Sequence, residues 1–444
     1  MALDVTFHVQ IPHRPGQLAR VCGTIADHDG LIGDIVTVSL APEASVREIT
    51  IELRDPAHAW EVANSLNALD GVRVLWHHDR AFMRHDGGKL EIVPREPVAT
   101  LQHMRDVYTP GVARICAAIA ADPALAGRYT MIGRTVAICT NGTRVLGLGS
   151  IGARAAMPVM EGKAVFYRQF AGISAMPILI DTEDVDEFVD TVVRIAPTFG
   201  GIHLEDIATP ACFEIERRLI EALPQPVMHD DVHGTAVVTL AAILTACRQV
   251  GRRLEDMTVG QLGLGAAGFG IASLVHDAGA ARVLAFDPNE GSHARAREQG
   301  IVPAPLDEVL AQADVIVATT GRPGLLTPAM IRPGQVILAL TNPAPEIEPD
   351  AAVAAGAAFA ADGRSVNNVL GYPGIFRGAL LAGAKRITTG MKLAAAQAIA
   401  GLSEQADLVP NALDPTVHER VATAVHDAAV AEGVARPGYV VEGL

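Results

Sequence analysis

The stretch "TVGQLGLGAAGFGIASLVHDAGAARVLAFD" (258–287) decides the fold. A short apolar run, TVGQL, leads into Gly263, Gly265 and Gly268 in G-x-G-x-x-G spacing. The residues that follow, FGIASLVHDAGA, have the pattern of a helix, and RVLAF is a second strand that ends at Asp287, 19 residues past Gly268. Glycines at a strand-to-helix turn let backbone N–H groups approach a pyrophosphate at the helix N-terminus, and an acid ending the next strand accepts ribose hydroxyls. The spacing therefore predicts a dinucleotide cradle built from Gly263, Gly265, Ala266, Ala267 and Gly268, with Asp287 on the ribose. A carboxylate there favours NAD, because it would repel a 2′-phosphate. Arg295 and Arg297 downstream keep NADP open as the alternative. A second G-x-G-x-x-G, "GLGSIG" (147–152), has no spaced acid, and Pro158 is expected to cut short any helix after it, so it reads as a tight turn.

Outward from this unit, strands (AMPILIDT, GGIHLEDI, VIVATT, QVILALTN) alternate with helical stretches, some of them alanine-rich such as AAVAAGAAFAA (351–361). Such alternation predicts an α/β architecture with parallel sheets covered by helices. The first eighty residues differ. They read as strand, helix, two strands, helix and strand, a βαββαβ α+β unit with proline near each helix start and glycine at each stop. The stretch RHDGGKLEIVPREPV (84–98) reads as a linker.

Composition narrows the function classes. The 444 residues are 50% hydrophobic and carry a formal charge of −15, which argues against nucleic-acid binding. Five scattered cysteines without a C-x-x-C pair suit reduced thiols rather than a disulfide framework. The N-terminal residues show no signal pattern, and no apolar run reads as long enough to span a bilayer, so a cytoplasmic protein with no membrane contact is expected.

Two acidic pairs stand out. Glu205–Asp206 ends an apolar segment, and Asp230–Asp231 lies in "VMHDDVHGTA" (227–236). Carboxylates gathered at strand ends suit a hard divalent cation such as Mg²⁺ or Mn²⁺. Successive strand side chains point to opposite faces, so Glu205 and Asp206 can share one ion only if the chain turns there. The same alternation predicts that Asp230 and Asp231 face different ways. His229 and His233 are spaced like zinc ligands, but Gly234 argues for a turn, and they read as non-ligands. Lys163, set among apolar residues in "PVMEGKAVFY" (158–167), can have its pKa lowered there and act as a base, the alternative being a surface lysine that snorkels to solvent. Tyr108 precedes a Thr-Pro helix start.

In order along 87–444, "YTPGVA", "RVLGLGSIG", "VMEGKAV", "LEDIATPACFEIE", "HDDVHGTA", "GLGAAG", "ALTNPAPEI" and "VNNVLGYPGIFRGAL" resemble the malic enzymes, most closely the short bacterial type. The first eighty residues resemble an ACT domain, through their element order and "PHRPGQLARV" with "GLIGDI". The resemblance implies an ACT-like domain over 1–80, a catalytic N-domain over 87–230, and a Rossmann-type NAD-binding domain with C-terminal helices over 231–444. It implies NAD-linked oxidative decarboxylation of malate to pyruvate and CO₂. Tyr108 would be the acid that protonates the enol, Lys163 the base, and Asp230 its neighbour. Glu205, Asp206 and Asp231 would hold Mg²⁺ or Mn²⁺. Arg144, Asn342 and Asn367 would bind substrate, with Asn342 also near the nicotinamide. Gly16, Gly30 and Asp34 would line an amino-acid effector site. A homodimer or larger homo-oligomer is implied. The rivals are a malolactic type that retains NAD and releases lactate, and a catalytically silent amino-acid sensor.

Overall fold

The computed structural model describes residues 3–145, 147–403, 407–439 and 441. Contacts divide the chain into two units, Met1–Glu91 and Ile92–Leu444, with the division inside the stretch read as a linker.

The first unit is a four-stranded antiparallel sheet in the order Leu31–Leu40, Ala44–Leu53, Leu3–Pro12, Arg73–Asp79. Helices Gln17–Asp27 and Pro56–Asn67 cover one face. Alternation puts Val5, Phe7 and Val9 of the central strand into the core beside Val21 and Ile25, which share a helix face. Asp55 caps the second helix by accepting from the His58 N–H at 2.9 Å, and Pro56 opens it. A side chain on Gly30 would put its Cβ 2.7 Å from Ile25, so this glycine is required by packing. Gly16 has φ 82° and open space around it, and Asp34 is exposed on the edge strand.

The second unit holds two parallel sheets. One has the order Ser174–Leu179, Thr135–Thr140, Gly201–Leu204, Val227–His229. The other runs Val302–Pro303, Arg282–Phe286, Thr258–Leu262, Val315–Ala318, Val336–Ala339, Phe359–Asp362. In sequence order its strands lie 3-2-1-4-5-6, the doubly wound arrangement whose switch point binds dinucleotides. Strands buried on both faces explain the unbroken apolar runs VIVA and VILA.

Three expectations are corrected here. Pro158 does not cut a helix short. It sits in the first turn of Met157–Ala171, where a missing N–H costs nothing. The alanine-rich run 351–361 is not one helix: Pro349–Ala354 ends before Gly356, whose φ is 106°, and Phe359–Asp362 is a strand paired with Val336–Ala339. A run long and apolar enough for a membrane span does exist, Asp230–Gln249, but 78% of its apolar window is buried in the protein. Its apolarity is that of a core helix.

Candidate active site

The helix Met157–Ala171 carries Lys163 to Glu205, which directly follows the strand Gly201–Leu204 of the smaller sheet. Its ammonium pairs with Asp230 Oδ2 and lies 3.0 Å from Glu205 Oε1. Asp230 is wholly buried and also accepts a hydrogen bond from Asn368 Nδ2 at 2.7 Å. The ammonium stands 4.6 Å from the centre of the Tyr372 ring. Burial pushes Asp230 up to about 6 and Glu205 up to about 8, against the pull of Lys163. Burial alone would lower Lys163, but the Asp230 and Glu205 carboxylates outweigh it and raise the lysine well above its ordinary value. The expectation of a lowered lysine pKa is thus overturned. Apolar neighbours in sequence are not the neighbours in space, and two carboxylates surround the ammonium.

Glu205 follows the strand Gly201–Leu204, and Asp206 has φ 54°, a left-handed conformation uncommon outside glycine. That turn places both acids on one side. Glu205, Asp206 and Asp231 each offer an oxygen, and these atoms lie within 4.8 Å of one another. The Asp206 N–H donates to Asp231 Oδ2 at 2.9 Å, which ties the two segments together. An all-oxygen donor set with excess negative charge fits Mg²⁺ or Mn²⁺ and not a soft metal. The second oxygen of Glu205 is held by His203 Nε2 at 2.6 Å, and His203 Nδ1 meets the Tyr167 hydroxyl at 2.8 Å. Burial lowers His203 to about 4, so it is a neutral support.

Asp230 and Asp231 do face different ways, but strand alternation is not the reason. The strand ends at His229, and Asp230–Gly234 is a single π-helical turn that leads into the helix Thr235–Gln249. The rotation between successive helical residues, rather than a pleat, turns Asp230 to Lys163 and Asp231 to Asp206. Gly234 is needed because a Cβ there would lie 1.7 Å from Asp230 Oδ1.

In the larger sheet, the helix Ala266–Asp277 starts directly behind Gly265. Gly263 has φ 90°, and a Cβ on Gly268 would sit 2.0 Å from the Gly263 carbonyl oxygen. Asp287 follows its strand as expected, with Oδ2 accepting from the Leu264 N–H at 2.6 Å and Oδ1 from the Asn289 N–H at 2.7 Å. Arg295 stacks on Phe213, 4.1 Å from the ring centre.

Three segments match family models. They are the malic enzyme N-terminal domain (87–220), the NAD-binding domain of D-isomer specific 2-hydroxyacid dehydrogenases (236–323) and the malic enzyme NAD-binding domain (360–436). NAD-dependent malic enzyme 1 of Bacillus subtilis is 49% identical over 427 residues, covering 96% of this chain and 97% of that protein. The chain belongs to the malic enzyme family. The bifunctional malic/malolactic enzyme of the same organism is 42% identical, over 79% of this chain and 92% of its own length. The crystal structure of malic enzyme from Pyrococcus horikoshii superposes with a TM-score of 0.75 at 40% identity, covering 80% of this chain and 90% of that one.

The remaining expected residues make no side-chain bond to Lys163, Asp230 or Glu205. Tyr108 ends the helix Leu101–Val107 and is 72% exposed. Arg144 is exposed, and its backbone N–H, not its guanidinium, donates to the Asp206 carbonyl at 3.0 Å. Asn342 is exposed beyond the strand Val336–Ala339. Asn367 spends its side chain on a cap, accepting from the Val369 N–H at 3.0 Å. Its neighbour Asn368 is the one that reaches Asp230. Both members of "NN" are thus engaged, Asn367 in the cap and Asn368 on Asp230, and His203, Tyr167 and Tyr372 join the site without having been expected there. Only the dipeptide itself and the tyrosine of "GYPGIF" offered any signal.

Proposed function

We propose that this chain catalyses the oxidative decarboxylation of (S)-malate to pyruvate and CO₂ with reduction of NAD, using Mg²⁺ or Mn²⁺. The observation that carries the reading is one buried lysine held between Asp230 and Glu205, beside three carboxylates gathered for a cation. A simple dehydrogenase needs a base but has little use for such a triad. Residues Glu205, Asp206 and Asp231 would hold the ion, and the Gly263–Gly268 loop with Asp287 would hold NAD. When bound, the nicotinamide accepts the C2 hydride, and the cation stabilises the enolate charge that develops as CO₂ departs. Lys163 and Asp230 act as one proton-holding pair that takes the proton of the malate hydroxyl. Tyr108 returns a proton to C3 of the enol, giving pyruvate. Arg144 and Asn342 contribute to substrate binding, with Asn367 keeping Asn368 on Asp230.

The test is an assay of the purified protein with malate, metal and each cofactor. Stoichiometric pyruvate and NADH support the proposal, whereas malate-dependent reduction without pyruvate overturns it. A malolactic reading is favoured by the name of the bifunctional relative, and lactate formed without net reduction would establish it instead. The two aspartates separate the roles further. Asp231→Asn is expected to raise the metal concentration for half-activity by about 10- to 100-fold. Asp230→Asn should chiefly lower kcat, and equal effects on metal affinity would contradict the division.

Tyr108 lies on an apolar arm. Ile92, Val98, Leu101, Val107 and Tyr108 are all more than half exposed, and the helices Leu101–Val107 and Gly111–Ala121 bury no residue. We read this arm as docking on a second copy of the chain, so that each Tyr108 serves the partner's site in a homodimer. Tyr108→Phe and Lys163→Met proteins should each be inactive alone. Mixed and reassociated, they should recover roughly a quarter of wild-type activity, since half the dimers are hybrids with one whole site. No recovery in hybrids isolated as such would place Tyr108 in its own subunit's site.

For the N-terminal unit the proposed role is binding of an amino-acid effector at the turn around Gly16, with Gly30 and Asp34 nearby. The open space at Gly16 supports this. Unchanged kinetics across an amino-acid panel, with no heat of binding, would remove it. A cytoplasmic location is proposed with this metabolic role.

A further inference from the structure

A second chain of polar groups, buried at Glu216 and half-buried at His233 and Lys392, makes no contact with Lys163. Glu216, on the helix Ala211–Ala222, is only 6% exposed, and both its carboxylate oxygens are occupied. Oε1 accepts from the backbone N–H of His229 at 2.7 Å, and Oε2 lies 3.1 Å from His233 Nε2. The other ring nitrogen, His233 Nδ1, lies 3.1 Å from Lys392 Nζ on the helix Thr389–Leu402. With Lys392 as an ammonium, which only donates hydrogen bonds, Nδ1 accepts and Nε2 carries the hydrogen given to Glu216. In that state the chain runs from Lys392 to His233 to Glu216.

Its two attachments bracket the π turn. Glu216 grips the backbone just before Asp230, and His233 grips the turn two residues after Asp231. The turn also rests on Gly270, where a Cβ would lie 2.1 Å from the Val232 carbonyl oxygen. A single π turn has few hydrogen bonds of its own to define it. Its shape is set from outside.

We propose that Glu216, His233 and Lys392 form a positioning relay, which holds the backbone of the Asp230–Gly234 turn and so aims Asp230 at Lys163 and Asp231 at the metal. This rests on the metal reading of Glu205, Asp206 and Asp231 given above. None of the three touches the reacting atoms. The relay also couples the helix Thr389–Leu402 to the metal acids. Loosening that helix end would therefore loosen the site without altering any ligand.

The test uses the full-length, metal-stripped protein and Mn²⁺ binding followed by electron paramagnetic resonance, with the NAD Kd measured in parallel. Glu216→Gln keeps the shape but cannot accept from both His229 and His233. Lys392→Met removes the donor to Nδ1. Both are expected to weaken Mn²⁺ binding about 10- to 100-fold with the NAD Kd unchanged, whereas Lys392→Arg, which still donates, should retain most of the affinity. If Glu216→Gln does not fold, the Lys392 pair carries the test, because that side chain is only half-buried. Wild-type Mn²⁺ affinity in Lys392→Met, with any loss confined to thermal stability, overturns the relay. Glu205→Ala distinguishes the levels. Mn²⁺ binding that survives this change overturns the carboxylate site and the relay with it. Binding lost in Glu205→Ala but intact in Lys392→Met and Glu216→Gln overturns the relay alone.

Discussion

Replacing Lys163 with methionine is expected to lower kcat by about 10²- to 10⁴-fold, the usual contribution of a positioned proton-transfer group. Methionine matches the lysine in length and keeps the contact with the Tyr372 ring face, so packing is largely conserved. What is lost is the only cation beside Asp230 and Glu205 among the described residues. Burial already pushes those two groups up to about 6 and about 8. Without the ammonium they are expected to take up protons rather than remain as bare buried charges. Lys163→Arg keeps the charge but cannot place it between the two oxygens, and it should be almost as impaired. Pyruvate formation at saturating malate reads the effect, with the NAD Kd as a control for the larger sheet. A kcat within about tenfold of wild type would remove Lys163 from the proton pathway.

Gly270→Ala is expected to destabilise the second unit by about 1–3 kcal/mol, the usual range for forcing an extra carbon into a packed site. The new Cβ would lie 2.1 Å from the Val232 carbonyl oxygen and 2.8 Å from its carbon. Both are backbone atoms, so a rotamer change cannot relieve the clash. Either the helix Ala266–Asp277 withdraws or the π turn moves. Moving the turn displaces Asp230 and Asp231, so metal affinity should fall together with stability. The control is Gly401→Ala, on an exposed part of the helix Thr389–Leu402 with nothing within 4 Å. That change should be neutral or slightly stabilising, because alanine restricts the unfolded chain more than glycine does. Denaturant midpoints measured side by side check both, and equal midpoints would show that the turn tolerates the contact.

Much of the architecture was legible because it depends on neighbours in sequence. The glycine loop, its helix and Asp287 fall within one βαβ unit, so spacing alone locates them. Alternation in the first strand and the proline and glycine punctuation of the helices likewise act over a few residues. The acidic pairs were visible as unusual charges at the ends of apolar runs, and the turn at Asp206 was anticipated as the condition for sharing an ion.

Other features were out of reach of local pattern. Lys163 meets Asp230 across 67 positions and Asn368 meets Asp230 across 138. Only packing decides such meetings, and they reversed the expected shift of the lysine pKa. "NN" gave no hint that Asn367 caps a short helix while Asn368 reaches the site. Nor did "HDDVHG" announce a π turn, because that conformation is imposed by Glu216, by Gly270 and by the helix that follows. The sequence by itself determined the parallel α/β layering, the cofactor loop and which residue types could do the chemistry, since those follow from backbone periodicity and short-range spacing. The tertiary structure decided that Asp230 and Glu205 together surround the lysine and that Asp206 and Asp231 are tied to each other. Those depend on distances between side chains that the chain brings together only after it has folded.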